Sequence, residues 1–391
     1  MTDSSRLHGL DAVRALALLG GIVLHACMSF LPGFREIGWP ISDRYPSVVL
    51  GVLFFVIHTF RMTTFFVIAG FFGHMMFHRK GVRAFVRDRL TRIAVPLVVG
   101  WPVLFPPVVA AILWGASKLD GGEGAILPQR RSSSSFRFPL IHLWFLYLLL
   151  WLYTVALLVR AIFERVIDRS GKLRRRMDRV LQILLLSGLT PIVLAAPLCV
   201  CLYFADGWMM WLGIPTPDQS LIPNGSAFVG FAIAFSLGWL VQRQPELLQA
   251  WVRQWHIQLA LAITMTVASL SLIGVKPTFV TAQPGTKTLA YAICYSIAVW
   301  SWTFTVIGMG LRFFSQPNPT LRYLADSSYW LYLVHLPIVF LAQVVVMDWE
   351  LHWSIKIILI LGTTLPLMLL SYHYLVRSTF IGGVLNGRRY A

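Results

Sequence analysis

Long apolar segments alternate with short polar ones along almost the whole chain. A helix that crosses a bilayer needs about 20 predominantly apolar residues. Ten segments meet this requirement: 10–30, 47–76, 93–116, 140–163, 180–205, 226–242, 255–273, 288–311, 327–347 and 354–375. The pattern predicts an all-α polytopic membrane protein with about ten transmembrane helices in one bundle.

Composition supports this fold class. Of the 391 residues, 57% are hydrophobic and only 13% are charged, whereas soluble domains are about 25% charged. Too few polar side chains are present to cover a water-soluble surface. Globular soluble enzymes and disordered regulators are therefore excluded.

The net charge of +17 comes from 33 basic and 16 acidic residues. The basic residues flank the apolar segments and form no continuous basic domain, so we predict no nucleic acid partner. The densest clusters lie at 79–92 and 165–179, which we assign to the cytoplasmic side because Lys and Arg accumulate there. With an even number of spans, both termini are expected in the cytoplasm. The segments 117–139 and 206–225 are then outer loops.

Three ionisable residues in the first span share one helix face. At 100° per residue, Arg14 is about 20° and Asp11 about 40° from His25 around the helix. Arg14 and His25 are separated by about 16 Å along the axis. We expect the first span to be retained in the protein, with the arginine near the cytoplasm and the histidine in the outer half.

Further cations lie in or beside the next two spans. His58 and Arg61 are on adjacent turns of the second span, and Arg89 and Arg92 precede the third at about the depth of Arg14. Ionisable groups are costly inside a membrane and usually mark a functional site. Several arginines at one depth need an anion, and a phosphate-bearing ligand from the cytoplasm would supply it.

Structural alternatives exist for each of these residues. The arginines of 89–92 could contact lipid phosphates, and His25 could be a core histidine bonded to a neighbouring helix. His142 could be an interfacial anchor. His335 could cap the carbonyl that Pro337 leaves without an N–H donor.

The combination of a deep imidazole and inner arginines suits a reaction that spans the membrane. The separation along the first helix resembles the reach of a phosphopantetheine arm, so coenzyme A could bind at the arginines and extend its thioester toward His25. A neutral imidazole there would deprotonate a hydroxyl acceptor from outside, and His58 could stabilise the oxyanion. Direct transfer and transfer through an acyl-histidine both fit. Neither a bound cofactor nor a metal site is predicted.

Several motifs together resemble those of the membrane acyltransferase-3 family. They are Asp11-Ala-Val-Arg14 with His25, Arg89-x-x-Arg92 before Pro96, His142-Leu-Trp-Phe-Leu, and Tyr332-Leu-Val-His335-x-Pro337. The resemblance runs from the first to the ninth span and implies one acyltransferase domain over residues 1–391. It also implies acyl-CoA as co-substrate, a catalytic His25, and donor-side roles for Arg14, Arg89 and Arg92.

The segment 54–72 resembles family members that transfer succinyl groups from succinyl-CoA to osmoregulated periplasmic β-glucans. This implies a multi-pass enzyme of the bacterial inner membrane, in contact with lipid, that acts on glucan hydroxyls outside. Arg61 is the candidate that recognises the succinyl carboxylate. Ala69 and Leu336 depart from the family pattern, and His335 is placed with Asp11 and His142 as a supporting residue.

Two other functions remain open from the sequence. An O-acetyltransferase of another envelope polysaccharide would share the donor site but transfer a neutral group. A non-enzymatic transporter of an anionic metabolite would use the same arginines without turnover, although the absence of a visible internal repeat argues against it.

Overall fold

The computed structural model describes residues 8–119, 138–217 and 221–387. Within these ranges the chain forms helices and turns and contains no β-strand. The helices are α1 (His8–Cys27), α2 (Val48–Arg89), α3 (Val95–Lys118), α4 (Trp144–Ile162), α5 (Lys172–Ser187), α6 (Thr190–Tyr203), α7 (Gly225–Val241), α8 (Leu248–Ile273), α9 (Thr286–Phe313), α10 (Pro319–Val346), α11 (Trp353–Ser371) and α12 (Phe380–Asn386). Most of the predicted loop 117–139 lies outside the described residues.

The helices confirm an all-α polytopic membrane protein. In the described ranges, 7 helical runs are long and apolar enough to cross a membrane, or 8 if the bent pair α5–α6 is one span. One run, Val48–Lys118, is 71 residues long and is broken at Gly81, where φ is 75° and ψ is 171°. It contains two of the segments predicted from hydropathy, and α7 contains another.

The predicted span over 180–205 is not one straight helix. Residues up to Ser187 belong to α5, and α6 begins at Thr190 after a bend of 108°. Gly188 ends α5 in the left-handed conformation, with φ of 74°, which glycine adopts without steric cost. Hydropathy alone does not reveal this bend because both sides of it are apolar.

Two glycines allow α2 and α7 to touch. A Cβ atom on Gly70 would overlap the Phe235 carbonyl, and one on Gly238 would overlap the Val67 carbonyl. The two backbones are therefore in direct contact, which is how small residues let helices pack closely in membranes. This contact fixes α2, which carries four of the site residues described below, against the rest of the bundle.

A buried ion pair holds the segment between α1 and α2. Lys356 Nζ donates to Asp43 Oδ1 and Oδ2 at 2.9 and 2.7 Å and to the Met347 carbonyl at 3.2 Å. The two residues are 0% and 4% exposed. The pair joins segment 28–47 to α11 and to the end of α10. Lys356 lies within the predicted span 354–375, and the sequence does not indicate its partner.

Candidate functional site

A cavity of about 1590 Å³ runs through the bundle. All nine site residues predicted from the sequence line it: Asp11, Arg14, His25, His58, Arg61, Arg89, Arg92, His142 and His335. We call one end of the cavity the arginine end, defined by Arg14, Arg79, Arg89 and Arg92. The other is the loop end, where the connections before α2, α7 and α9 meet. His25 lies between the two ends.

Cations outnumber carboxylates at the arginine end. Three of these cations share one carboxylate, that of Asp88. Its Oδ1 lies 2.9 Å from Lys80 Nζ and 3.3 Å from Arg92 Nε, and its Oδ2 accepts a hydrogen bond from Arg89 Nη2. Arg79 adds a further charge to the lining. This end of the cavity is suited to an anionic ligand, because the arginines share too little negative charge among themselves.

Arg14 is held in place but retains unused donor capacity. Its Nη2 donates to the Ala325 carbonyl at 2.8 Å and lies 3.6 Å from Asp11 Oδ1. The Nε atoms of Arg14 and Arg89 are buried and make no hydrogen bond within the described part of the chain. A phosphate group accepts such N–H donors, often two from one guanidinium.

Arg92 lies in a π-helical turn, Leu90–Ala94, between α2 and α3. Its backbone carbonyl accepts a hydrogen bond from the Tyr329 hydroxyl. Isolated π turns are rare and occur frequently at functional sites. Tyr329 also lines the cavity, and sequence analysis did not identify it.

His25 occupies the last turns of α1 on the face predicted from the helical period. Gln343 Nε2 on α10 donates to the carbonyls of His25 and Ala26 at 2.8 and 3.0 Å, which fixes the backbone here. Among the described residues, the His25 Nδ1 atom has no hydrogen-bond partner although it is buried. The ring is thus available for chemistry and is not used to hold the fold.

Two more imidazoles stand beside His25. The His335 ring centroid lies 5.1 Å from that of His25 and 5.1 Å from that of His142. His142 is 7% exposed, so the interpretation of this residue as an interfacial anchor is wrong. His335, predicted as a supporting residue, lies next to the predicted base.

Pro337 explains how His142 is positioned. A proline inside a helix leaves the carbonyl four residues earlier without its donor. Here that carbonyl belongs to Leu333, and His142 Nε2 donates to it at 2.9 Å. The alternative role considered for His335, capping this carbonyl, is therefore performed by His142. The preceding residue, Ile141, has φ of 48°, which is unusual for a β-branched residue.

These hydrogen bonds set the tautomers around His25. A neutral His142 that donates from Nε2 carries its lone pair on Nδ1. His335 Nδ1 donates to the Tyr332 carbonyl at 2.6 Å, so a neutral His335 carries its lone pair on Nε2. Each of these two neighbours therefore presents a lone pair, and not an N–H, on its second ring nitrogen. The His25 ring, 5.1 Å from that of His335, has acceptors and no competing N–H donors from these two imidazoles beside it.

The side chain of Arg61, on α2, packs against Gly21 of α1, one turn before His25. Gly21 leaves room for it because it has no side chain. A Cβ atom at Gly21 would overlap the guanidinium and would lie 3.4 Å from Arg61 Cζ. No carboxylate of the described ranges pairs with Arg61, and its buried Nε lacks an acceptor. His58 is also on α2. Its ring stacks on that of Phe54 with 5.5 Å between the centroids, and it lines the cavity.

Aromatic side chains form the loop end. Phe34 lies 5.9 Å from Trp39 and 5.1 Å from Phe279, and Trp39 lies 6.3 Å from Phe340. The segment 207–216 contributes Met209 and further residues to the same wall. The segment belongs to the predicted outer loop 206–225, and its part in the site has no signal in the sequence.

Other lining residues were also missed from the sequence. They are Gly21, Arg79, Tyr153, Tyr329, Tyr332, Leu385 and Asn386. Tyr332 belongs to a motif that was recognised, and its helical spacing from His335 was an available signal. The residues of α12 had no comparable signal, because neither periodicity nor charge indicates that this short helix covers the arginine end.

Comparison with known proteins agrees with the chemistry of the cavity. Residues 7–373 match a family described as an acyltransferase domain. Glucans biosynthesis protein C from Escherichia coli O1:K1 and from E. coli O139:H28 is 26% identical over 177 residues. The match covers 45% of this chain and 45% of each relative, so it spans about half the length of these proteins. No solved structure matches the chain. Because the family match extends over nearly the whole sequence, the chain belongs to the acyltransferase-3 family, as its motifs predicted.

Proposed function

We propose that the protein transfers an acyl group from acyl-CoA, bound at the arginine end, to a sugar hydroxyl that enters at the loop end. The observation that carries this proposal is the single cavity that connects the arginines with His25 and continues to the opposite end. A reaction with substrates in two compartments requires such a connection, whereas a histidine sealed among apolar side chains could not perform it.

The donor fits the arginine end by charge and length. Coenzyme A carries phosphates, which the unused N–H groups of Arg14 and Arg89 can accommodate with Arg92 beside them. The axial distance of about 16 Å from Arg14 to His25 then directs the thioester toward the imidazoles. Binding and reaction take place in separate parts of one cavity, so the thioester is aligned before the acceptor arrives.

His25 acts as general base in this scheme. Its free nitrogen takes the proton of the sugar hydroxyl while that oxygen attacks the thioester carbonyl. The carbon–sulfur bond then breaks, and the imidazolium returns its proton to the departing thiolate. In this scheme His58 donates a hydrogen bond to the oxyanion. Direct transfer is favoured because it avoids a charged acyl-imidazole in the bundle.

The finer assignment is succinyl transfer to periplasmic glucans. The relatives are named for glucan biosynthesis, which supports a glucan acceptor. Arg61 supports a charged acyl group. It is a cation near His25, and no carboxylate in the described ranges pairs with it. An acetyl group would leave this guanidinium unmatched, and buried unmatched charges are costly.

The proposed setting is the bacterial inner membrane, with about ten crossings and both termini in the cytoplasm. Two contacts support an even number of crossings: Gly9 near the start of α1 packs on Leu311, and Gly387 beyond α12 packs on Arg92. Both lie at the arginine end of the bundle. This end also carries the clusters 79–92 and 165–179, consistent with the cytoplasmic excess of basic residues.

Mass spectrometry of periplasmic glucans tests the function directly. Cells that express the protein should produce glucans with succinyl mass increments, and cells that lack it should produce glucans without them. An acetyl increment would instead support the O-acetyltransferase alternative. Glucans that are identical with and without the protein would contradict the glucan assignment.

Arg61→Gln should separate a succinyl from an acetyl enzyme. A hydrogen bond to a charged group contributes about 1.5–3 kcal/mol, so kcat/KM for succinyl-CoA should fall about 10- to 100-fold, while that for acetyl-CoA should change little. Purified protein with each donor gives this comparison. Arg92→Gln is the matched control, because removing a phosphate contact should weaken both donors alike. Equal losses for Arg61→Gln would contradict its role in recognising the acyl carboxylate.

A further inference from the structure

Helix α5 presents a basic surface that the acyltransferase site does not use. Its exposed cations lie in the first half of the helix: Lys172, Arg175, Arg176 and Arg179. In the described ranges none of them forms an ion pair, whereas Arg174 pairs with Glu164 and Asp168. We call these four residues the basic face of α5. Four exposed cations without ion-pair partners in the described ranges form a positive patch that is suited to anions from outside the molecule.

The second half of α5 is exposed but apolar. Val180, Ile183 and Leu186 are 58%, 63% and 55% exposed. At 100° per residue, they lie on the same outward side as the basic face, about 10 Å further along the axis. The outward surface of α5 is therefore charged in its first half and apolar in its second half. The distance between the two halves is similar to that between lipid phosphates and acyl chains.

The helix is held rigidly in this orientation. Asp168 caps it by accepting from the backbone N–H groups of Leu173 and Arg174 at 3.0 and 2.8 Å. On the inner side, Gln254 Nε2 donates to the Leu185 carbonyl at 3.2 Å. The bend of 108° to α6 separates this surface from the next helix. Its outward side is therefore a fixed feature of the fold.

We propose that the basic face of α5 binds anionic phospholipid headgroups of the leaflet at the arginine end. Val180, Ile183 and Leu186 then insert among the acyl chains beneath those headgroups. Juxtamembrane cations attract anionic lipids in this way, and amphipathic helices at interfaces combine this attraction with apolar insertion. An acidic protein partner would satisfy the cations but not the exposed apolar half.

Hydrogen–deuterium exchange on the full chain tests this proposal. The protein is placed in nanodiscs of phosphatidylcholine alone or of equal parts phosphatidylcholine and phosphatidylglycerol. Exchange across 172–187 should be slower in the anionic discs, and this difference should shrink at high salt. Because each cation near an anionic surface strengthens binding about fivefold, Arg175→Gln with Arg179→Gln should weaken the lipid-dependent protection by up to about thirtyfold.

The matched control is Arg253→Gln with Arg312→Gln, which removes two exposed cations from the same end of the bundle but outside α5. This variant should retain the difference between the two discs, and exchange elsewhere in each variant reports whether it is folded. Equal exchange of wild-type α5 in both lipids would overturn the proposal. So would loss of the difference in the control, or protection that depends on protein concentration, which would indicate a second copy as the partner.

Discussion

Replacing His25 with Asn should reduce acyl transfer by about 10²- to 10⁴-fold, the contribution typical of a general base. Donor binding should persist, because the arginines lie about three helical turns away. The measurement is product formation by purified protein under saturating acyl-CoA, with coenzyme A binding determined separately by calorimetry. A change in rate without a change in donor affinity assigns the residue to the chemical step.

The structure makes this a clean substitution. The His25 ring forms no hydrogen bond from Nδ1 within the described residues, and Gln343 holds the backbone carbonyl of residue 25, not its side chain. The fold should therefore survive. His256→Asn, at an exposed histidine away from the cavity, is the matched control and should retain full activity. A His25→Asn protein within tenfold of wild type would exclude the general-base mechanism, and one that still moved substrate without forming product would favour transport.

Lys356→Met should cause the largest loss of stability among the single substitutions considered. It leaves the buried Asp43 carboxylate without its partner, and breaking a buried ion pair costs about 3–5 kcal/mol. Thermal unfolding in detergent should show a clearly lowered Tm. Activity should also be reduced at temperatures below the unfolding transition, since segment 28–47 carries Phe34 and Trp39 at the loop end.

A second substitution distinguishes a buried charge from a general packing defect. Asp43→Leu combined with Lys356→Met removes both charges, and hydrophobic replacement of a buried pair is often neutral or stabilising. The double variant should therefore recover most of the Tm lost by Lys356→Met. Lys118→Met is a control at a half-exposed pair with Asp348, where the expected effect is below about 1 kcal/mol. If the double variant were less stable than either single one, the ion pair would not be the cause.

The features that follow from helical period and hydropathy could be predicted from the sequence. Asp11, Arg14 and His25 line one cavity because they share a face of a regular helix, and the apolar segments fall on helices because length and composition determine that outcome. The bend between α5 and α6 could not be predicted, since it depends on the backbone conformation at Gly188. The stretches next to the bend, 180–186 and 191–203, are both apolar.

Contacts between distant segments account for the rest. His142 meets the carbonyl freed by Pro337 only because the turn before α4 lies beside α10, and Lys356 meets Asp43 across more than 300 residues of sequence. Gly21 has no polar group of its own, and its importance lies in the space it leaves for Arg61. A single sequence contains the participants in these contacts but not their partners.

The close contact of α2 with α7 determines which wall of the cavity can yield. Backbones that meet at Gly70 and Gly238 cannot approach further, and separating them would lose the close packing that small residues permit between membrane helices. These two helices should therefore move as one rigid unit. If the cavity widens to admit a bulky, branched acceptor, the change should therefore occur in the wall formed by α3 and α10, where side chains can change rotamer.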